Sequence, residues 1–298
     1  MVKPRAVISF GRGALWRKGE ISAGLERIGE LIAKLSEKYE IVVVHASDFD
    51  AEDFLSQKSV SAETAVAISQ GKFGYKLSQA IKNAFVKLKK NRKVATVVTQ
   101  VVVEKTDPGF RKPTKPIGRT YSAKEALKLM KLNGWIMEKT EGGKYRRLVP
   151  SPRPIDVVEK REISDLLTSG AIVVAAGGGG IPVYKTKVLK LLKGIDAVVD
   201  EDYAAEKLAE LLKADLFVSV TDVENACLNF GAEDEIPLHV LSVREAEKYL
   251  KSGAFESGSM REKVEACVGF AKKKHTGIIC SLDNLEDSLK GKSGTIII

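Results

Sequence analysis

The stretch Ala171-Ile-Val-Val-Ala-Ala-Gly-Gly-Gly-Gly-Ile-Pro-Val183 decides how the rest of the chain is interpreted. Its first half is an apolar, β-rich run, which is typical of a buried parallel strand. Gly177, Gly178, Gly179 and Gly180 follow directly, and glycines at the carboxyl end of a strand let backbone N–H groups approach an anion closely. The stretch therefore predicts a phosphate-binding turn, with a plain glycine-rich turn as the alternative. It matches neither the Rossmann nor the Walker motif.

The start of the chain predicts an α/β fold with a parallel sheet. A short apolar strand at residues 6–10 is followed by an amphipathic helix at 22–38 and a buried strand at 41–44. Strands joined in this way are parallel neighbours, so their ends near Gly11 and His45 meet at one edge of the sheet. Ligands of such sheets bind at that edge.

The next two elements extend this pattern. Residues 61–90 predict a long helix that is broken or bent near Gly71 and Gly74. Residues 94–104 predict a third strand, and this strand is apolar enough to be central in the sheet.

The chain then leaves the main sheet and returns to it. Residues 106–154 contain proline clusters around a short helix with a capping box, so we expect an inserted excursion there. A helix at 155–169 leads back to the opening stretch, and a later strand ends at Thr221 and Asp222. Side chains at such a strand end can meet a ligand.

Composition restricts the class of protein. The chain has 298 residues and a net charge of +9, from 48 Lys and Arg against 39 Asp and Glu. Small anionic substrates explain this excess better than nucleic acid does, because the cations are spread along amphipathic helices. No apolar run suits a signal peptide or a membrane span, and three scattered cysteines predict reduced thiols, so we expect a cytoplasmic protein without a metal site. Scarce glutamine beside abundant Lys and Glu indicates a thermophile.

Several segments together resemble carbamate kinase, of the amino acid kinase superfamily. The resemblance runs through nearly the whole chain in the same order. It is carried by Pro113-Thr-Lys-Pro-Ile-Gly118, Val149-Pro-Ser-Pro152, Ala176-Gly-Gly-Gly-Gly-Ile-Pro-Val183, Thr221-Asp-Val223, Gly258-Ser-Met260 with Lys263, and Gly294-Thr295.

The resemblance implies a fold and an activity. The expected fold is a three-layer α/β/α sandwich with a mostly parallel open sheet and a small protruding subdomain. We expect one domain over residues 1–298, with the subdomain inserted at 106–154 and a nucleotide-binding half at 171–298. The implied protein is a homodimer of arginine metabolism that exchanges a phosphoryl group between ADP and carbamoyl phosphate, giving ATP and carbamate, with Mg²⁺.

The resemblance also implies roles for residues. Lys263 would contact the transferring phosphate, Asp202 would orient the catalytic groups, and Lys115 would reach in from the subdomain. The nucleotide and its phosphates would lie against Gly11, the tetraglycine turn, and the residues Thr221, Asp222 and Met260.

Three segments depart from the family pattern, and all three lie where the chemistry would take place. The family has Gly-Gly-Asn where this chain has Gly11-Arg-Gly13, and His-Gly-Asn-Gly-Pro-Gln where it has His45-Ala-Ser-Asp-Phe-Asp50. The family also has Lys-Asp where this chain has Glu201-Asp202. Phosphoryl transfer depends on positioning and charge neutralisation, so replacing a cation by Glu201 is the most serious change.

These departures leave four interpretations open. The chain is a carbamate kinase in which Arg12 replaces the missing lysine, or a nucleotide-binding protein without transfer activity. It is alternatively a kinase for an amino-bearing acceptor that is attracted by Asp48, Asp50 and Glu201. In the fourth interpretation the loops have drifted after loss of activity, Arg12 is exposed, and Glu201 pairs with a lysine.

Overall fold

A computed structural model of the chain describes residues 3–15, 20–47, 60–140, 142–255 and 260–298. In these ranges the strands, in chain order, are β1 (Arg5–Phe10), β2 (Glu40–His45), β3 (Val94–Thr96), β4 (Gln100–Val103), β5 (Lys115–Tyr121), β6 (Ile136–Lys139), β7 (Tyr145–Val149), β8 (Pro154–Val157), β9 (Ile172–Val174), β10 (Ile181–Lys185), β11 (Leu192–Gly194), β12 (Leu216–Thr221), β13 (Cys227–Leu228), β14 (Ile236–Pro237), β15 (Val240–Leu241), β16 (Thr276–Ser281) and β17 (Thr295–Ile297).

The helices are α1 (Arg12–Leu15), α2 (Ile21–Leu35), α3 (Ala62–Lys87), α4 (Ala123–Asn133), α5 (Lys160–Thr168), α6 (Glu201–Leu211), α7 (Val243–Ser252), α8 (Met260–Ala271) and α9 (Leu285–Ser288). Short 3-10 turns occur at Pro108–Phe110 and Gly177–Gly179. In the described ranges, none of the helices is both long enough and apolar enough to cross a bilayer.

An eight-stranded sheet forms the middle layer, in the order β15-β17-β16-β12-β1-β2-β9-β3. Neighbours from β16 to β3 are parallel, and β17 is antiparallel to β16. Alternate residues of β1 enter two different cores: Val7 packs with α5, α6 and α8 on one face, and Ile8 packs with α2 and α3 on the other. The predicted three-layer α/β/α sandwich is thereby confirmed.

Three smaller sheets lie beside the main one in the described ranges, of which β13-β14 is a two-stranded antiparallel pair. Strands β11-β10-β4-β8 form a mixed sheet that continues from the tetraglycine turn. The antiparallel strands β5-β7-β6, together with α4, form the small subdomain, which here means residues 115–149. Ser122 and Glu125 form the predicted capping box at the start of α4.

The long helix was predicted to be broken or bent, and a break is wrong, because α3 runs continuously from Ala62 to Lys87. Gly74 serves close packing instead. A Cβ atom at Gly74 would lie 2.5 Å from Thr96 Cγ2 of β3, whereas a Cβ at Gly71 would meet nothing within 4 Å. The helix therefore approaches the edge strand β3 more closely than a side chain at Gly74 would permit.

The predicted central strand at residues 94–104 is also wrong, because the segment divides into β3 and β4 in different sheets, and β3 is an edge strand. The buried Gln70 side chain explains the division. Its amide oxygen accepts a hydrogen bond from Thr99 N at 2.8 Å, and its amide nitrogen donates to Thr99 O at 3.0 Å. Gln70 thus satisfies the N–H of Thr99, while the carbonyl oxygen of Thr99 also accepts from Ile181 N of β10 at 2.9 Å. The predicted helix at 155–169 is shorter, because β8 takes its first residues and α5 begins only at Lys160.

Candidate active site

The ends of two adjacent parallel strands place the first part of the site. Gly11 follows β1, and its N–H donates to Val220 O of β12 at 2.9 Å. A Cβ atom at Gly11 would lie 3.0 Å from Lys263 Nζ, and one at Gly13 would lie 2.8 Å from Asp222 Cγ. The segment after β1 therefore passes directly between Lys263 and Asp222, at the sheet edge where ligands of parallel sheets bind.

A buried ion pair lies beneath Gly11. Lys263 Nζ of α8 donates to Asp202 Oδ2 of α6 at 2.8 Å, and the two side chains are 7% and 2% exposed. Ser219 Oγ of β12 donates to the other oxygen, Asp202 Oδ1, at 2.8 Å. Burial alone would lower the pKa of Lys263, but Asp202 and Glu201 outweigh burial and raise it. Lys263 is therefore a fixed cation whose position is set through Asp202.

A second lysine reaches the site from the subdomain. Lys115 Nζ forms an ion pair with Asp200 and lies 3.5 Å from Glu201 Oε2. Burial acts to lower the pKa of Lys115, but both carboxylates act against burial and the net shift is upward. Burial likewise acts to raise the pKa of Glu201, yet Lys115 is the main reason that this pKa is lowered instead. Glu201 is therefore an ionised, mostly buried partner of Lys115.

The tetraglycine turn lies next to this carboxylate cluster. Ala176, Gly178, Gly179 and Gly180 all have left-handed φ angles, of +50°, +62°, +88° and +77°. Glycine is required at 179, because a Cβ there would lie 1.9 Å from Val199 O, at the start of the segment that leads into Asp200. Within the turn, Gly179 N donates to Ala176 O at 3.1 Å and Gly180 N donates to Gly177 O at 3.2 Å. An anion at this turn would therefore be bound by the N–H groups of Gly177 and Gly178.

A cavity of about 630 Å³ opens on the other side of Gly13. Its lining includes Thr221, Asp222, Cys227, Phe230, Phe255 and Met260. The cavity is continuous with the sheet edge, since Asp222 both lines it and contacts the backbone of Gly13. Its size and mixed polar and apolar lining suit a small ligand with an aromatic base.

The structure brings together most of the residues singled out in the sequence. Asp202, Lys263 and Gly11 are in contact, and Lys115 reaches the same helix start through Asp200. Arg12 is half-buried as the first residue of α1. Asp48, Asp50 and Gly258 lie outside the described residues.

Three residues near the site were given no role from the sequence, in which His45 marked only the end of a strand and the start of a departing segment. Asp200 accepts hydrogen bonds from Lys115 and, at 3.0 Å, from Asp202 N, so it caps α6. The run Asp-Glu-Asp after an apolar segment was its only signal. Ser219 gave no signal, because a lone serine in an apolar strand has no visible partner. The third residue is His45, whose Nδ1 donates to Ala46 O at 2.8 Å and whose Nε2 would lie 2.2 Å from a Cβ atom at Gly177.

Comparisons with known proteins identify the family of the chain. The model of the amino acid kinase family matches residues 4–281. A carbamate kinase of Clostridium perfringens is 46% identical over 234 residues, which are 78% of this chain and 74% of that protein. A carbamate kinase of Thermoplasma volcanium is 40% identical, with 99% of each chain covered.

Solved structures give the same relationship. The structure of the carbamate kinase from Giardia lamblia bound to AMP-PNP superposes with a TM-score of 0.89 at 33% identity, covering 99% of this chain and 98% of that one. The match to the family model, the relatives and this structure together extend over nearly all of the sequence. The chain belongs to the carbamate kinases of the amino acid kinase family.

Proposed function

We propose that this protein transfers a phosphoryl group reversibly between ATP and carbamate, forming ADP and carbamoyl phosphate. The observation that carries the proposal is the buried Lys263–Asp202 pair beside Gly11, between the tetraglycine turn and a cavity large enough for a nucleoside. The relatives that are named carbamate kinases, and the Giardia lamblia carbamate kinase that binds AMP-PNP, support the same activity.

In this proposal the residues act by position and charge. The base would occupy the cavity lined by Thr221, Asp222 and Met260, which directs the phosphates past Gly11 toward the tetraglycine turn. Lys263 would neutralise charge on the transferring phosphoryl group, while Asp202 keeps its ammonium group in place. Lys115 and Arg12 would supply further positive charge from the subdomain and from α1.

Mg²⁺ would neutralise charge on the nucleotide phosphates. In the described part of the chain, no group of three or more His, Cys, Asp or Glu side chains is arranged to hold a metal ion. Mg²⁺ in kinases is held largely by phosphate oxygens and water. We therefore propose that the metal ion enters with ATP or ADP.

The charge of the site favours a second candidate. Lys115 and Lys263 lie together with Asp200, Glu201 and Asp202, so the formal charge of this group is negative by one. A site that holds two anionic substrates gains from positive charge. The presence of Glu201 therefore favours a protein that binds nucleotide without phosphorylating carbamate, or one that phosphorylates an amino-bearing acceptor.

The decisive experiment is ATP formation from ADP and carbamoyl phosphate in a coupled assay, run at high temperature. Carbamate kinase activity predicts ATP above background and a loss of at least about a hundredfold in Lys263→Ala. The control is Lys34→Ala, since Lys34 is 67% exposed and pairs with Glu286 far from the sheet edge. A complete absence of ATP would refute the first candidate.

Thermal melting separates the remaining possibilities. A ligand at a hundred times its Kd stabilises the folded state by about 2.7 kcal/mol. A raised melting temperature with AMP-PNP but no ATP formation would support nucleotide binding alone. ATP consumption with an amine or amino acid would support the amino-bearing acceptor.

Further proposals follow from the family membership and the composition. We propose that the protein is a cytoplasmic homodimer of arginine metabolism in a thermophile. We also propose that residues 1–298 are one domain, that the insertion spans 106–154, and that residues 171–298 are its nucleotide-binding half. Size-exclusion chromatography with light scattering tests the dimer, and melting of the purified protein tests the thermophilic origin.

A further inference from the structure

The subdomain packs on the main body through apolar side chains of the protein itself. Ile117 and Val149 of the subdomain are buried against Ala62, Ala65 and Val198 of the body. Val198 N also donates to Pro150 O at 3.0 Å, which joins the end of the subdomain to the segment before α6. The subdomain therefore rests on the body close to the carboxylate cluster.

A polar contact holds the C-terminal end of the insertion, at Arg153, against the main body. The Arg153 guanidinium lies over the Tyr203 ring, 3.2 Å from its centroid, and forms an ion pair with Glu265. Tyr203 Oη donates to the same carboxylate at 2.8 Å. Tyr203 follows Asp202 in α6, and Glu265 lies two residues after Lys263 in α8. The C-terminal end of the insertion is thus joined to α6 and α8, the two helices that carry the Lys263–Asp202 ion pair.

Lys115 makes the contact that reaches into the site itself. Its side chain is 22% exposed, and those of its partners Asp200 and Glu201 are 8% and 17% exposed. An ammonium group in such a place requires carboxylate partners, because its loss of hydration is otherwise uncompensated. The two carboxylates supply these partners from the protein itself.

The carboxylates of Asp200 and Glu201 have different roles. Asp200 uses Oδ1 to cap α6 and Oδ2 to bind Lys115, so it has a structural role whatever the state of the subdomain. For Glu201 the nearest cation contact in the structure is Lys115, at 3.5 Å. A lysine at position 201, as in the family that the chain resembles, would repel Lys115 and would need an anionic ligand between the two cations.

We propose that Glu201 is a positioning residue that holds Lys115 in the site and so keeps the subdomain closed over it before any substrate binds. The proposal rests on the proposed function only in taking this sheet edge as the phosphate site. Phosphate oxygens that reach Lys115 must then replace Glu201 as its partner. Glu201 therefore sets how strongly the closed site accepts an anionic ligand, and it disfavours the most highly charged ones.

The accessibility of Lys115 in the ligand-free protein tests this directly. Acetylation by acetic anhydride, read by peptide mass spectrometry, is compared in the wild type, Glu201→Gln and Glu201→Lys. Lys207 is the internal reference, because its side chain is 20% exposed, close to the 22% of Lys115, and its partner Glu210 is unchanged. Asp287→Asn is the control variant, because Asp287 pairs with Lys290 in an exposed contact at α9. Hydrogen exchange of the Val198 amide, which bonds to Pro150, reports seating of the subdomain.

We expect Lys115 to react faster in Glu201→Gln than in the wild type, because the attraction between Lys115 and the residue at 201 is removed. In Glu201→Lys the interaction becomes repulsive, so we expect Lys115 to react about tenfold or more faster than in the wild type. Exchange at Val198 should follow the same order, and Asp287→Asn should match the wild type. Inorganic tripolyphosphate should bind more tightly in the same order. If Glu201→Lys fails to fold, Glu201→Gln carries the test.

Equal reactivity of Lys115 in the wild type and Glu201→Gln would overturn the proposal. So would equal acceleration at Lys115 and Lys207, which would indicate general loosening of the protein. These measurements use neither nucleotide nor acceptor, so a protein that forms no ATP can still confirm the role of Glu201 in positioning Lys115. Conversely, an active enzyme with unchanged Lys115 reactivity would refute this role of Glu201 without contradicting the proposed activity.

Discussion

The substitution Lys263→Met tests whether the site is built on a buried ion pair. Methionine nearly preserves the length of the side chain but removes its charge, which leaves the Asp202 carboxylate 2% exposed with the Ser219 hydroxyl as its remaining donor. Breaking a buried pair by removing one partner costs about 3–5 kcal/mol, since the other charge stays buried. Each kcal/mol lowers the melting temperature of a protein of this size by about 2–4 °C. We therefore expect a decrease of about 6–20 °C.

Two further variants identify the source of this loss. Lys263→Met combined with Asp202→Asn should recover at least half of the lost stability, because no lone charge remains, while ATP formation stays absent. Lys34→Met removes one partner of the Lys34–Glu286 pair, which has a nearly equal N–O distance of 2.7 Å but an exposed lysine. That control should cost under about 1 kcal/mol.

Calorimetry at neutral pH measures the stability of each variant. A melting temperature for Lys263→Met equal to that of the wild type would refute the reasoning, and so would a double variant that recovers none of the lost stability.

The remaining predictions concern packing, titration and orientation. In α3, Gly71→Ala should stabilise the protein by about 1 kcal/mol through helix propensity, whereas Gly74→Ala should destabilise it by about 1–2 kcal/mol through overpacking, as measured by chemical denaturation. If both variants changed stability in the same direction, the close approach of β3 to Gly74 would be wrong. Burial raises the pKa of Glu206 in spite of Lys207, so its carboxylate costs stability as pH rises from its ordinary value of 4.5. Glu206→Gln should therefore melt higher than the wild type at neutral pH, with the gap closing as pH falls toward 4.5; a constant gap would contradict this assignment. Ser219→Ala removes a hydrogen bond to an ionised group, so we expect kcat to fall by about tenfold with little change in KM, and Ser219→Thr to restore much of it. A change confined to KM would show that Ser219 does not orient the catalytic groups.

Local pattern predicted the frame of the fold because its elements follow from periodicity alone. Val7 and Ile8 show this, since adjacent residues of β1 enter opposite cores as a two-residue period requires. The register that places Phe10 beside His45 also follows from a β-α-β unit. These features need only short stretches of sequence, so one chain suffices to predict them.

Features that depend on distant partners were not predictable in this way. Gln70 bonds both backbone groups of Thr99, which lies 29 residues further along, between β3 and β4. Gly74 appears as a helix breaker in sequence, but it acts as a contact surface for Thr96. In each case a tertiary contact outweighs the local propensity of the residue.

The charge change at position 201 shows the same limit where it matters for function. From sequence, Glu201 is only an acid where a cation is expected, and its meaning depends on Lys115, 86 residues away. At 3.5 Å and an effective dielectric constant near 20, the attraction between the two is about 5 kcal/mol before the cost of desolvation is subtracted. A lysine there would reverse the sign of this energy. The residue type at 201 therefore decides whether the charge of Lys115 is left for a phosphate to neutralise or is neutralised by the protein. Glu201, which is 17% exposed, neutralises it. The interpretation in which the loops have drifted predicted that Glu201 pairs with a lysine. The lysine is Lys115, which the resemblance places in the active site. The pairing therefore alters the active site itself.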